Sequence, residues 1–143
     1  MKMMAKPLPR PIARLGLLLF LAFALAIPAT AHAHARLERS TPKDKSKLAE
    51  APKQIDLWFS ELLDNNPKFN TIEVYSSTEL KAKTHTNLAA GDTKVDAKDQ
   101  THLSVDLKSL PPGDYTVDWR VLSQDGHSAP GRISFKVLPP KKQ

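Results

Sequence analysis

Five stretches of the chain alternate apolar and polar residues with the period of two that a half-buried strand requires. Ile55, Leu57 and Phe59 alternate with Asp56, Trp58 and Ser60, and Ile72 and Val74 with Thr71, Glu73 and Tyr75. Leu103, Val105 and Leu107 alternate with His102, Ser104 and Asp106. The run from Tyr115 through Val117, Trp119 and Val121 is longer, and Ile133, Phe135 and Val137 form the last. Residues 36–40 predict a first, edge strand, and a weak strand or two falls within residues 80–96. No window carries a long helical stripe; residues 46–50 predict one short helical turn. Thr41-Pro42, Ala51-Pro52, Asn65-Asn66-Pro67, Gly91-Asp92, Pro111-Pro112-Gly113-Asp114 and Gln124-Asp125-Gly126-His127 punctuate the runs as turns. Prolines are expected between strands, because they cannot donate to a ladder. The pattern predicts an all-β, Ig-like Greek-key β-sandwich of about seven short strands, with one face of each sheet in the core. Trp119 shares a face with Val117 and Val121, so its expected role is core packing.

The chain ahead of these strands has a different character. Residues 15–27 are an unbroken run of 13 apolar or glycine residues. Lys2, Lys6, Arg10 and Arg14 precede it, and Pro28 and the small-residue stretch Ala29-Thr30-Ala31-His32-Ala33 follow it. This layout predicts a cleaved secretory signal peptide over residues 1–33 and a mature domain over residues 34–143. The run is short beside the roughly 20 residues of a bilayer-crossing helix. No cysteine follows to take a lipid, and no second apolar stretch occurs, so the mature domain is expected to be soluble and monomeric. Cleavage after Ala33 exposes His34, whereas cleavage after Ala31 exposes His32.

Charge and composition then remove several function classes. The formal net charge of +6 is inflated by the leader, whose four basic residues have no acidic counterpart. The remainder holds 17 basic and 15 acidic residues, which is no nucleic-acid footprint. No phosphate loop, nucleic-acid motif or hydrolytic triad occurs. The absence of cysteine excludes disulfides, zinc ribbons, thiolate copper sites and iron–sulfur clusters. Met1, Met3 and Met4 are the only methionines, and all leave with the leader. A metal site in the mature domain therefore lacks the thioether and thiolate donors that soft ions such as Cu(I) prefer, and is expected to use nitrogen and oxygen donors and hold a harder, oxidised ion.

Among His34, His85, His102 and His127, His34 is singular because it can be the first residue. A terminal histidine offers its α-amine and its Nδ1 to one metal, closing a chelate ring. The α-amine has a reference pKa of about 8, so a metal can displace its proton near neutrality. His127 follows Asp125 and Gly126 in a loop after a strand; residues two apart on an extended segment project to one side. His34, Asp125 and His127 together supply three nitrogens and one oxygen, a set suited to tetragonal Cu(II), with zinc the alternative metal. His85 lies in a polar stretch and reads as a surface residue, and His102 falls on the polar side of its strand.

At these residues the chain resembles the bacterial copper-resistance protein CopC family. The resemblance covers nearly all of residues 34–143 and is carried by several pieces. These are His34-Ala35-Arg36-Leu37, Ser40-Thr41-Pro42, Ala51-Pro52-Lys53, Leu57-Trp58-Phe59-Ser60-Glu61, the run from Leu110 to Val121, Ser123-Gln124-Asp125-Gly126-His127, and the run from Gly131 to Val137. It implies a periplasmic protein that binds and carries copper, with a Cu(II) site built from His34, Asp125 and His127. It also implies a glutamate near the ion, which maps onto Glu61. The methionine-rich Cu(I) site of some members has no counterpart here. A separate multi-spanning inner-membrane protein of the CopD kind is the implied partner, beside the copper ion itself. The resemblance favours cleavage after Ala33. The alternative function is a copper-dependent oxidative enzyme of the histidine-brace type, as in polysaccharide monooxygenases. Against it, Asp125 adds an anionic ligand that stabilises Cu(II), and no exposed aromatic row is evident, so no enzymatic activity is expected.

Overall fold

The computed structural model describes residues 35–141; the expected signal peptide over residues 1–33, His34 and the last two residues lie outside the described residues. The strands are β1 (Leu37–Thr41), β2 (Ser46–Leu48), β3 (Gln54–Phe59), β4 (Thr71–Ser76), β5 (Lys94–Val95), β6 (His102–Asp106), β7 (Gly113–Leu122) and β8 (Ser128–Val137), with a short 3-10 turn at Ser77–Glu79. Among the described residues they form two four-stranded sheets, ordered β1-β3-β6-β5 and β2-β8-β7-β4. The alternation sets which residues face inward. Ile55, Leu57, Phe59, Leu103 and Val105 of the first sheet and Ile72, Val74, Val117, Val121, Ile133, Phe135 and Val137 of the second are buried in one core. Each such side chain contributes roughly 1.5–3 kcal/mol on burial. The sandwich thus has a core of its own, unlike small domains that fold only around a metal. Trp119 is buried as expected, its ring edge-on to Phe59 at 6.1 Å. Tyr115 donates its hydroxyl to the Pro111 carbonyl at 2.6 Å, pinning the loop that enters β7.

Two expectations need correction. Residues 46–50 form no helical turn: Ser46–Leu48 is β2, parallel to the end of β8. Lys45, at φ 59°, donates its N–H to the Ser134 carbonyl at 2.7 Å and delivers the chain to that sheet edge. A ladder along an existing edge outweighs an isolated helical turn, whose nucleation is unfavourable. The described strands number eight, in keeping with about seven: β5 falls within residues 80–96, where a weak strand is expected, and β2 is the addition. Pro130 lies inside β8, opposite Arg120. A residue without an N–H is tolerated there, since β2 covers the far side of β8 only from Phe135 to Val137.

The outer edge of β4 is capped by the connection that follows it. Ile72 N–H donates to Thr93 Oγ1 at 3.0 Å, Val74 N–H donates to Asn87 Oδ1 at 3.1 Å, and Leu88 N–H donates to the Val74 carbonyl at 2.7 Å. Side chains thus satisfy donors that an open edge would offer to another chain. The same connection explains why Tyr75, on the outward side of β4, is fully buried: its ring stacks on His85 with centroids 4.0 Å apart. His85 is accordingly half-buried, a correction to its reading as a surface residue.

Beneath that stack, Tyr75 donates to Asp118 Oδ2 at 2.9 Å, and Arg132 grips Asp118 through Nε at 2.5 Å and Nη2 at 2.7 Å. The Arg132 hydrogen bonds hold the Asp118 carboxyl below its usual range against the upward push of burial, and the Tyr75 hydroxyl assists. A depressed folded-state pKa means stability that is present above the unfolded value of about 3.9 and is lost as pH falls through the lower folded one. Asp118→Asn should therefore flatten the decline of melting temperature below about pH 4. Parallel acid profiles for the two proteins would contradict this assignment.

Candidate metal site

β7 and β8 are joined by Ser123-Gln124-Asp125-Gly126-His127. Ser123 closes this loop by donating its N–H to the His127 carbonyl at 3.0 Å and its hydroxyl to the same oxygen at 3.3 Å. Gly126 adopts φ 86°, in the left-handed region that side-chain-bearing residues avoid. The turn folds Asp125 back onto His127. Oδ1 of Asp125 accepts from the His127 N–H at 3.2 Å, and Oδ2 lies 3.1 Å from His127 Nδ1. Both side chains remain open to solvent, 40% and 49% exposed respectively. Burial pushes the Asp125 carboxyl upward, but hydrogen bonds from the His127 amide and ring outweigh it and hold the group below its usual range. The loop thus presents an ionised carboxylate and an imidazole side by side.

Glu61 reaches the same end of the sandwich through a short extra rung. Leu63 bridges Ser123 in antiparallel fashion, Gln124 N–H donates to the Leu62 carbonyl at 2.9 Å, and Asp64 N–H donates to the Leu122 carbonyl at 2.8 Å. That rung ends at Leu62 and Gln124, because Asp125 belongs to the turn closed by the Gly126 N–H on the Ser123 carbonyl at 2.9 Å. The start of the described chain arrives there too. Arg36 N–H donates to Ser60 Oγ at 3.0 Å, and Ser60 N–H donates to the Arg36 carbonyl at 2.9 Å. Ala35 is buried and shares a cavity with Trp119, Ser128 and Ala129, directly beside His127 in sequence. The fold therefore brings Asp125 and His127 together, and the segment after Glu61 is tied to their loop through Leu62 and Leu63. His34 lies outside the described residues, one peptide bond ahead of Ala35. Among the described residues, no three histidine or acidic side chains converge closely enough to hold a metal.

The other described histidines are engaged elsewhere. His102 stacks on Trp58 at 4.4 Å and pairs through Nε2 with Asp56 Oδ1 at 2.8 Å, on the outer face of the first sheet. The Arg39 guanidinium lies 3.6 Å from the Trp58 ring centroid. Sequence reasoning missed the side-chain amides around the loop. Asn70, only 1% exposed, donates to the Asp64 carbonyl at 2.5 Å and accepts from the Leu122 N–H at 3.0 Å. Its neighbours in sequence gave no sign of this, because both partners come from the fold.

Sandwich and loop together define a class: an Ig-like β-sandwich that presents an aspartate–histidine pair at one end, beside the start of its first strand. Comparison with known proteins places the chain within that class. The CopC domain family matches residues 37–138. Protein YobA of Escherichia coli K12 is 35% identical over 102 residues, covering 71% of this chain and 76% of its own. The crystal structure of CopC from Methylosinus trichosporium OB3b superposes with a TM-score of 0.65 at 29% identity, covering 77% of this chain and 99% of that one. PcoC from Escherichia coli, described as a methionine-rich copper resistance protein, gives a TM-score of 0.59 at 33% identity, covering 73% and 99%. The chain belongs to the CopC family of copper resistance and transport proteins.

Proposed function

We propose that this protein is a periplasmic Cu(II)-binding protein that sequesters or carries copper, and that signal cleavage after Ala33 completes its site. His34 supplies its α-amine and imidazole, His127 a second imidazole, and Asp125 a carboxylate that offsets the charge of the ion. In this reading Glu61 accepts a hydrogen bond from the bound amine or from water and orients it. The observation that carries this reading is the placement of Ala35 at the end of the sandwich where Asp125 and His127 sit 3.1 Å apart. In this reading the free terminus, one residue further back at His34, closes the ligand set. The donor chemistry supports the oxidised ion. PcoC is described as methionine-rich, whereas the only methionines of this chain are Met1, Met3 and Met4. The function is capture and release, with a separate CopD-like membrane protein as the receiving partner, and no redox turnover is required of it.

Two readings on secreted protein test the proposal together. The N-terminal mass should place His34 first, and a copper titration of the same material should saturate at one equivalent of Cu(II). A terminus at His32 would overturn His34 as the chelating residue.

A further inference from the structure

Three side-chain amides form a chain alongside the candidate site. Gln124 Nε2 donates to Gln100 Oε1 at 3.0 Å and to the Leu63 carbonyl at 3.4 Å, and Gln100 Nε2 donates to Asn65 Oδ1 at 3.3 Å. Gln100 also accepts from the Leu63 N–H through its backbone carbonyl at 2.9 Å. The three amides belong to three different connections. Gln124 is in the β7–β8 loop, Gln100 in the turn between β5 and β6, and Asn65 in the segment that follows Glu61. They tie the loop of one sheet to the other sheet.

The core does not need this chain. Gln124 and Asn65 are exposed, Gln100 is half-buried, and water would satisfy all three amides. The loop beside them does need support. Asp125 and His127 are exposed side chains, and Gln124, next to Asp125, ties their loop to the connections of the other sheet. Its N–H donates to the Leu62 carbonyl at 2.9 Å, and its side-chain amide reaches Gln100 and Leu63. The amide chain thereby sets where the two donors stand.

We propose that the Gln124–Gln100–Asn65 chain is a positioning device for the copper site, one that holds the loop carrying Asp125 and His127 in place before the ion arrives. This rests on the site reading given under Proposed function. None of the three residues touches the ion; they act through the loop.

The test uses the processed protein with Gln124→Leu, Gln100→Leu and the double variant, which keep side-chain bulk and remove the hydrogen bonds. Cu(II) affinity is read by chelator competition and the stability of the metal-free protein by thermal melting. Each single variant should bind Cu(II) about tenfold more weakly, the lower end of what outer-shell partners contribute. The double variant should be no weaker than the weaker single, since both changes cut one chain. Melting temperatures should stay close to that of the parent. Parental affinity in both leucine variants, or multiplying losses in the double variant, would overturn the proposal. His127→Ala separates this failure from that of the site itself. If it also binds as the parent does, the copper lies elsewhere. If it alone is weak, only the amide chain is refuted.

Discussion

His127→Ala should bind Cu(II) at least about a hundredfold more weakly than the parent, beyond the range expected for a group that merely supports a ligand. The loop explains why the loss is not easily recovered. His127 and Asp125 are held together by two contacts, at 3.2 and 3.1 Å, and Gly126 fixes the turn between them. Removing the imidazole deletes a nitrogen donor and also the ring hydrogen bond that helps hold the Asp125 carboxyl below its usual range. The nearest remaining described histidine chemistry cannot substitute. His102 is paired with Asp56 on the first sheet, and His85 is stacked on Tyr75 under the β4 connection. The change lies on an exposed loop, so the metal-free melting temperature should hardly move. Chelator competition that returns parental affinity would remove His127 from the ligand set.

The largest expected effect on stability lies at Gly131. A Cβ added there would come within 2.1 Å of Trp119 Cζ2 and 2.5 Å of Cε2, far inside van der Waals contact. Trp119 and Gly131 are direct partners across β7 and β8, and the indole fills the space that the glycine leaves. The ring is buried against Phe59 and has little freedom to withdraw. Gly131→Ala should therefore cost about 3 kcal/mol, the upper part of the range for overpacking a filled core. That corresponds to a fall in melting temperature of about 10 °C or more for a domain of this size. Trp119 also lines the cavity beside Ala35 and Ser128, so the displaced ring should weaken copper binding as well. A thermal melt within two or three degrees of the parent, on a scale where 1 kcal/mol moves a domain by roughly 4 °C, would show that the indole yields more readily than its packing implies.

Those two positions mark how far the sequence could be read. The alternation of Ile55, Leu57 and Phe59, and of Val117, Trp119 and Val121, placed the core correctly because a half-buried strand must alternate. Strands that bury nothing regularly were not legible. β2 exists because the end of β8 had an unpaired edge, and no local pattern records that. Tyr75 alternates as an outward residue and does point outward, but a connection folded over it and made it core. At the candidate site, Asp-Gly-His could be read locally, since the spacing and the glycine turn are properties of adjacent residues. Glu61 could not. Resemblance alone pointed to it, and the rung that ties its segment to the loop joins Leu63 and Ser123, residues 60 apart in the chain. Gln124 and Gln100 were silent for the same reason, as amides on loops have no periodicity.

Electron paramagnetic resonance of the processed protein with one equivalent of Cu(II) tests the central claim most directly, compared with a variant carrying one extra residue ahead of His34. The account predicts a tetragonal signal with nitrogen couplings in the first. In the second the amine is buried in a peptide bond, and that signal should be lost along with tight binding. Identical spectra and equal affinities in the two proteins would contradict it, because the terminal chelate would then have no part in holding the ion.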